Sequence, residues 1–163
     1  MPTHRVLSPV TLPPFQHLVD AHGRDLHRFL AAMVGRVDAD DCYQETCLSA
    51  LRAYPRLRDT SNLRAWLLTI GHRKAIDHLR ARRRQAVPMA ELPEASAELA
   101  DEPDGRVWET VRALPPKQRT ALALRFVADA QYAEISAVME TTEEAARRNV
   151  HEGIKRLRLE YQP

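Results

Sequence analysis

No stretch of this 163-residue chain has the apolar length of a membrane span, and its opening MPTHRVLSP has no signal-peptide apolar region. A cytoplasmic protein with no membrane insertion is expected. Glycine is scarce, at five, and alternating strand patterns are few, whereas the helix formers Ala, Leu, Arg and Glu dominate. Sheet-based folds are thereby excluded in favour of an all-α one. There is no phosphate-cradling glycine loop, no HExxH pair and no nucleophile motif, so no enzyme, cofactor or metal site is expected. Cys42 and Cys47 are the two cysteines. Five positions apart on one predicted helix, they point about 140° apart around its axis and cannot bridge without unwinding it. They read as reduced thiols.

What the chain does have is segregated charge. The formal net charge is only +2, but residues 64–84 hold seven Lys or Arg against one acid, and residues 85–105 hold six acids and no base. A basic surface beside an acidic segment points to a polyanion partner. The basic cluster sits on NLRAWLLTIGHRKAIDHLRARRR, Asn62 to Arg84. This helix starts with an N-cap at Asn62 and an apolar stripe of Trp66, Leu67 and Ile70, which Ile76 and Leu79 extend. It ends in Arg80, Arg82, Arg83 and Arg84, more cations than complementing a helix dipole requires.

Before it, residues 1–14 carry four prolines and read as a loose arm. Phe15, Leu18, Val19, His22, Leu26, Phe29, Leu30, Met33 and Val34 keep helical spacing until Gly35, which predicts a core helix. The next helix is expected from Asp38, with Asp38 as cap, to about Tyr54. One face collects Ala39, Tyr43, Thr46, Cys47, Ala50 and Tyr54; the other collects Asp41, Gln44, Glu45, Leu48 and Arg52. That second face suits either plain solvent or a docked protein. The loop PRLRDTSN that follows is either an ordinary interhelical turn or an edge that reads single-stranded bases.

Residues 85–105 read as an acidic, proline-containing linker between two domains brought into register by a partner rather than by each other. Beyond it, Val107, Val111 and Leu114 form a stripe, Pro115 and Pro116 open a helix, and Leu122 with Phe126 supply its buried side. Gln131 and Glu134 have the spacing of a capping box for a third helix. Thr142 caps a last one, whose inner stripe is Ala146, Val150, Ile154 and Leu157 and whose basic residues face outward. The pair suits a helix-turn-helix or a generic helical hairpin.

Together these segments resemble the extracytoplasmic-function sigma factors, two-domain specificity subunits of bacterial RNA polymerase. DADDCYQETCLSALRAYPRL resembles the acidic helix of region 2, and WLLTIGHRKAIDHLRARRR is similar to the basic helix after it. LPPKQRTALALRF and YAEISAVMETTEEAARRNVHEGIKRLR resemble region 4 with its helix-turn-helix. The resemblance implies an arm at 1–14, region 2 at 15–84, the linker at 85–105 and region 4 at 106–160. It implies that Asp41, Gln44, Glu45, Leu48 and Arg52 dock on core RNA polymerase. It places Arg58, Asp59, Thr60, Ser61 and Asn62, with Arg73, Lys74, Arg80 and Arg83, on the single-stranded minus-ten promoter element. Thr142, Arg147, Arg148, His151 and Lys155 fall on the duplex minus-thirty-five element. An anti-sigma factor is a further partner the resemblance leaves room for. The rival expectation is a stand-alone helix-turn-helix regulator. Two departures from the family pattern stand out: Ile70, Gly71, His72 and Arg73 replace Ile-Ala-Arg-Asn, and Glu140 stands at the usual turn glycine, at a cost on the order of 1 kcal/mol.

Overall fold

The computed structural model describes residues 11–85 and 105–161, and among them every regular element is helical. Helix α1 (Phe15–Val34) and helix α2 (Arg36–Ala53) meet at Gly35. Its φ of 88° is a left-handed value that favours glycine, and its N–H donates to Ala31 while its carbonyl accepts from Ala39. Asp38 therefore lies inside α2 rather than capping it. A short 3₁₀ turn, Tyr54–Arg56, follows α2, and α3 runs Leu63–Arg84. Asn62 caps α3 as expected, its side-chain oxygen accepting from the Ala65 N–H at 2.9 Å.

The helical spacing of the first half translates directly into packing. Leu26, Phe29, Leu30 and Met33 of α1 are fully buried against Ala39, Cys42, Thr46 and Ala50 of α2 and Leu67, Leu68 and Ala75 of α3. Each large side chain so buried contributes about 1.5–3 kcal/mol. Gly71 is the close-approach point of α3 on α1: a Cβ there would lie 2.6 Å from Leu26 Cδ1. Trp66 packs on this core beside Tyr54. Residues 11–14 of the expected arm are anchored, since Leu12 packs on the core and Tyr54 donates its hydroxyl proton to the Pro13 carbonyl. The rest of the arm, and nearly all of the expected linker, lie outside the described residues.

In the second half, α4 (Gly105–Arg112) leads to α5 (Pro116–Leu122), α6 (Tyr132–Met139) and α7 (Glu143–Glu160). Val111, Leu114, Ala121, Leu122 and Val150 form its own small core, with Ile154 and Leu157 packed beside it. Two expectations fail here, one of them through a change of helical period. Phe126 is 59% exposed and not buried, because α5 continues into a π turn, Ala123–Val127, closed by an i→i+5 bond from Ala128 to Ala123. The wider turn rotates Phe126 off the face of Leu122 and puts Leu124 inward instead. Val107, near the start of α4, is also partly exposed.

The two halves do not meet only through a tether. Ala123, Leu124, Ala128, Ala130, Ile135 and Val138 belong to the same buried cluster as α1, α2 and α3. Helix α6 lies along α3, and the π turn and α4 lie against α1. Composition could reveal that the halves differ, but not that each leaves an apolar surface the other covers.

Candidate polymerase and nucleic-acid interfaces

The outward face of α2 carries Asp41, Gln44, Glu45, Leu48 and Arg52, all of them exposed. Leu48 is not the only apolar residue there: Val37 is 85% exposed and Leu51 is 50% exposed. At 100° per residue both fall on the same face, giving an apolar ridge of Val37, Leu48 and Leu51 flanked by carboxylates. The sequence reading missed Val37 and Leu51, although their spacing from Leu48 was available as a signal. Such a ridge, rimmed by polar groups, has the composition of a protein-docking surface.

The loop before α3 is organised locally. Asp59 accepts from both the Ser61 N–H at 3.0 Å and the Ser61 hydroxyl at 2.7 Å. These bonds favour the charged carboxylate and lower its pKa. Arg58, Asp59, Thr60, Ser61 and Asn62 are all exposed.

The basic cluster of α3 is not one uniform surface. Arg82 donates to Asp38 of α2 at 2.6 Å, and His78 lies 3.2 Å from the same carboxylate oxygen. Asp38, which does not cap α2, thus ties α3 to it. Arg80 and Arg83 line a groove between the halves, of about 920 Å³, with Ile76, Leu79, Pro116 and Met139 as apolar lining and Lys117, Arg119 and Arg148 as further cations. Lys74 is half-buried, and Arg73 reaches across to Glu140, 2.6 Å away. Inside this junction, burial pushes the His72 pKa down; the Val138 main chain, Arg73 and Glu140 act more weakly on it. Burial likewise lowers Arg119, which donates to the Met33 carbonyl of α1 and the Leu114 carbonyl at 3.4 Å each.

Glu134 makes no capping box with Gln131. It turns instead to α3, where its Oε2 accepts from Asn62 Nδ2 at 3.2 Å and its Oε1 lies 3.5 Å from Arg64 Nε. Glu140, in the turn between α6 and α7, has φ 53° and ψ 48°. It takes the left-handed conformation the turn demands without being glycine.

Helix α7 begins as expected, with Thr142 Oγ1 accepting from the Ala145 N–H at 3.0 Å. Arg147, Arg148, His151 and Lys155 are exposed and share one face within about 100°. Glu143 and Glu144 sit 3.9 Å from Arg147 and Arg148 respectively, loose i,i+4 pairs. Arg147 also lies over the Tyr132 ring, 4.8 Å from its centroid, and Arg125 does the same at 5.0 Å. Tyr132 therefore orients a candidate base-reading side chain, a role sequence spacing did not disclose. The structure brings Arg80 and Arg83 of the first half and Arg148 of the second onto the same groove, while His151 and Lys155 are not among its lining residues.

Other chemistry is sparse. Burial raises the Cys42 thiol to about 11 and also raises Cys47, which keeps both protonated and unreactive. Among the described residues no group of three or more His, Cys, Asp or Glu is placed to hold a metal, and no helix is long and apolar enough to cross a membrane.

Comparison with known proteins matches the chain in two segments. Residues 18–85 match the family model for sigma-70 region 2, and residues 104–157 match that for sigma-70 region 4. ECF RNA polymerase sigma factor SigD of Mycobacterium tuberculosis is 36% identical over 148 residues, covering 82% of this chain and 70% of SigD. RNA polymerase sigma factor CarQ of Myxococcus xanthus is 29% identical over 156 residues, covering 88% and 87%. Among solved structures, CnrH in complex with the cytosolic domain of CnrY superposes with a TM-score of 0.68 at 27% identity, covering 89% of this chain and 85% of that one. The sigma factor RpoE of Bartonella quintana, in complex with the anti-sigma factor NepR, shares the fold with a TM-score of 0.71 at 21% identity, over 91% of this chain and 98% of that one.

Proposed function

Since this chain belongs to the extracytoplasmic-function sigma factors of the sigma-70 family, which bind core RNA polymerase and promoter DNA, we propose that three of its surfaces divide that work. The α2 ridge, with Asp41, Gln44, Glu45, Leu48 and Arg52 around Val37 and Leu51, docks on core polymerase. The loop Arg58–Asn62 receives bases of the melted minus-ten strand, while Arg73, Lys74, Arg80 and Arg83 hold its phosphates. Capturing an extruded base offsets a few kcal/mol of unstacking, and the loop's small hydrogen-bonding side chains suit that role. Helix α7 enters the major groove at minus-thirty-five, with Arg147, Arg148, His151 and Lys155 as contacts and Thr142 at its capped end. The domain limits 15–84 and 106–160, the arm at 1–14 and a linker at 85–105 belong to the same proposal. An anti-sigma factor, of the kind bound to RpoE in its complex with NepR, is proposed as a partner for this chain as well.

The observation that carries this reading is the segregation of surface chemistry. An apolar and acidic ridge faces out on α2, whereas cations of α3 and α7 are collected elsewhere. An acidic ridge would repel DNA, so it suits protein, and the basic faces suit nucleic acid. In vitro transcription with core polymerase and a promoter library tests the reading, because a stand-alone helix-turn-helix regulator would confer no initiation. Within that assay, Asp41→Lys or Glu45→Lys is expected to weaken core binding about tenfold or more, since like-charge juxtaposition at an interface costs several kcal/mol. The melt of the isolated protein should be unchanged. Unaltered core affinity would remove α2 from the polymerase interface.

A further inference from the structure

We propose that the groove between α1 and α4 is a binding site for a nucleoside diphosphate or triphosphate, with the phosphates held by Arg28 and Arg112 and the base lodged against Trp108. The groove uses none of the residues assigned above to polymerase or promoter DNA, and it shares no lining residue with the groove that holds Arg80 and Arg83.

The space is a product of packing. Helix α4 and the π turn lie against α1. Ala31 and Ala32 of α1 present small side chains there, Val127 at the end of the π turn adds apolar lining, and a volume of about 520 Å³ is left. That lies within the range of about 300–1,000 Å³ typical of sites for small organic ligands, so a lone inorganic anion would leave it largely unfilled.

The charge of the groove is one-sided. Arg28, Arg36 and Arg112 line it against a single acid, Glu109. Arg112 is half-buried, and burial lowers its pKa while Glu109 opposes that shift. Arg119 stands close enough that the charges of the two guanidiniums oppose each other. Among the described residues neither Arg28 nor Arg112 has a hydrogen-bond or ion-pair partner. A half-buried guanidinium without an acceptor carries an uncompensated desolvation cost, which a phosphate oxygen offsets by accepting from its paired N–H donors. Two such forks suit more than one phosphate. His27 is not a further free donor, because its Nε2 is engaged with Asp40 at 2.7 Å.

Trp108 supplies the other half of the recognition. It packs against both hydrophobic clusters, which fixes its ring, and it also lines the groove. A fixed indole beside small apolar side chains suits a flat heterocycle. Stacking on an aromatic ring is tolerant of which base is stacked, so adenine and guanine should serve alike. Because one wall belongs to the first half and the other to the second, a bound nucleotide joins the two and stabilises the chain as its concentration rises.

The test titrates the intact chain with ADP, GTP and pyrophosphate by isothermal calorimetry. ADP and GTP should bind at one site per chain with similar affinity, and both more tightly than pyrophosphate, which offers phosphates without a base. Arg28→Gln and Arg112→Gln should each weaken ADP about tenfold or more, the factor a hydrogen bond to a charged group supplies. Arg24→Gln removes an exposed charge of α1 outside the groove and should change the affinity by less than about twofold, since solvent screens it. Arg28 is exposed, so its variant keeps the test valid even if Arg112→Gln disturbs the seating of α4. ADP should also quench tryptophan emission in the wild type but not in Trp108→Leu, where Trp66 is the remaining tryptophan.

No binding heat at about 1 mM ADP overturns the site. Pyrophosphate binding as tightly as ADP overturns the nucleotide assignment and the role of Trp108. An equal loss in Arg24→Gln overturns it too, reducing the binding to diffuse positive charge. A single-stranded oligonucleotide that displaces ADP makes the groove part of a nucleic-acid path and overturns its assignment to a small ligand.

Discussion

Replacing Glu140 by glycine sets two opposed effects of similar size against each other. The left-handed backbone at φ 53° costs a non-glycine residue about 1–2 kcal/mol, which glycine removes. Glycine returns about 0.5–1 kcal/mol of that through the extra freedom of its unfolded chain. The substitution also deletes the ion pair with Arg73. That pair is short, at 2.6 Å, but the two side chains are 64% and 68% exposed, so it is worth about 0.2–1 kcal/mol. In the wild-type background Glu140→Gly should therefore leave stability within about 0.5 kcal/mol of unchanged. In an Arg73→Ala background the pair is already gone, and the same substitution should stabilise by about 0.5 kcal/mol. Glu140→Gln, which loses the charge and keeps the strained backbone, should be the least stable of the single variants. Urea denaturation of the four members of the cycle, analysed for midpoint and slope, provides the measurement. If Glu140→Gly destabilises by the same amount in both backgrounds, Glu140 and Arg73 are not coupled and the strain has no compensating contact.

Two further expectations concern the basic helix and the junction beneath it. Arg80→Ala and Arg83→Ala should each lower affinity for opened promoter DNA across sequences and reduce the salt dependence by about 1 in slope; a change confined to one promoter sequence would make them base readers instead. His72, faced by Arg73 on its own helix, by Glu140 at the end of α6 and by Thr120 of α5, has a pKa lowered by burial from its ordinary 6.5. Between the lowered value and 6.5 the unfolded chain holds more protons than the folded one, so stability is fully present above 6.5 and declines as pH falls below it. Denaturation midpoints at about pH 7.5 and about pH 5.5 should differ less for His72→Gln than for the wild type; equal pH dependence in the two would discount His72.

Most of the helices are legible in the sequence because they depend on neighbours three and four residues away. Gly35 ends α1, Asn62 starts α3 and Thr142 starts α7. The stripe of Leu26, Phe29, Leu30 and Met33 is buried where its period puts it. The exposed candidates on α2 and on α7 are legible for the same reason, since one period places a residue inward or outward. Phe126 is the failure that shows the limit. Its inward position assumed an unbroken α-helical period, and the π turn at Ala123–Val127 altered that period.

The sequence by itself therefore determined the all-α fold, the order of the helices, and which faces carry acid, apolar or basic groups, because these follow from local geometry and composition. Tertiary structure alone decided what those groups meet. Asp38, spaced to cap α2, bonds Arg82 of α3; Glu134, spaced to cap α6, bonds Asn62; Glu140, at a turn suited to glycine, bonds Arg73. Each choice sets a local hydrogen bond against a partner tens of residues away. A distant partner becomes available only once buried side chains such as Leu124, Ile135 and Val138 have brought the two halves together. No local period encodes that approach, so the contacts that close α3 against α6 belong to the fold as a whole.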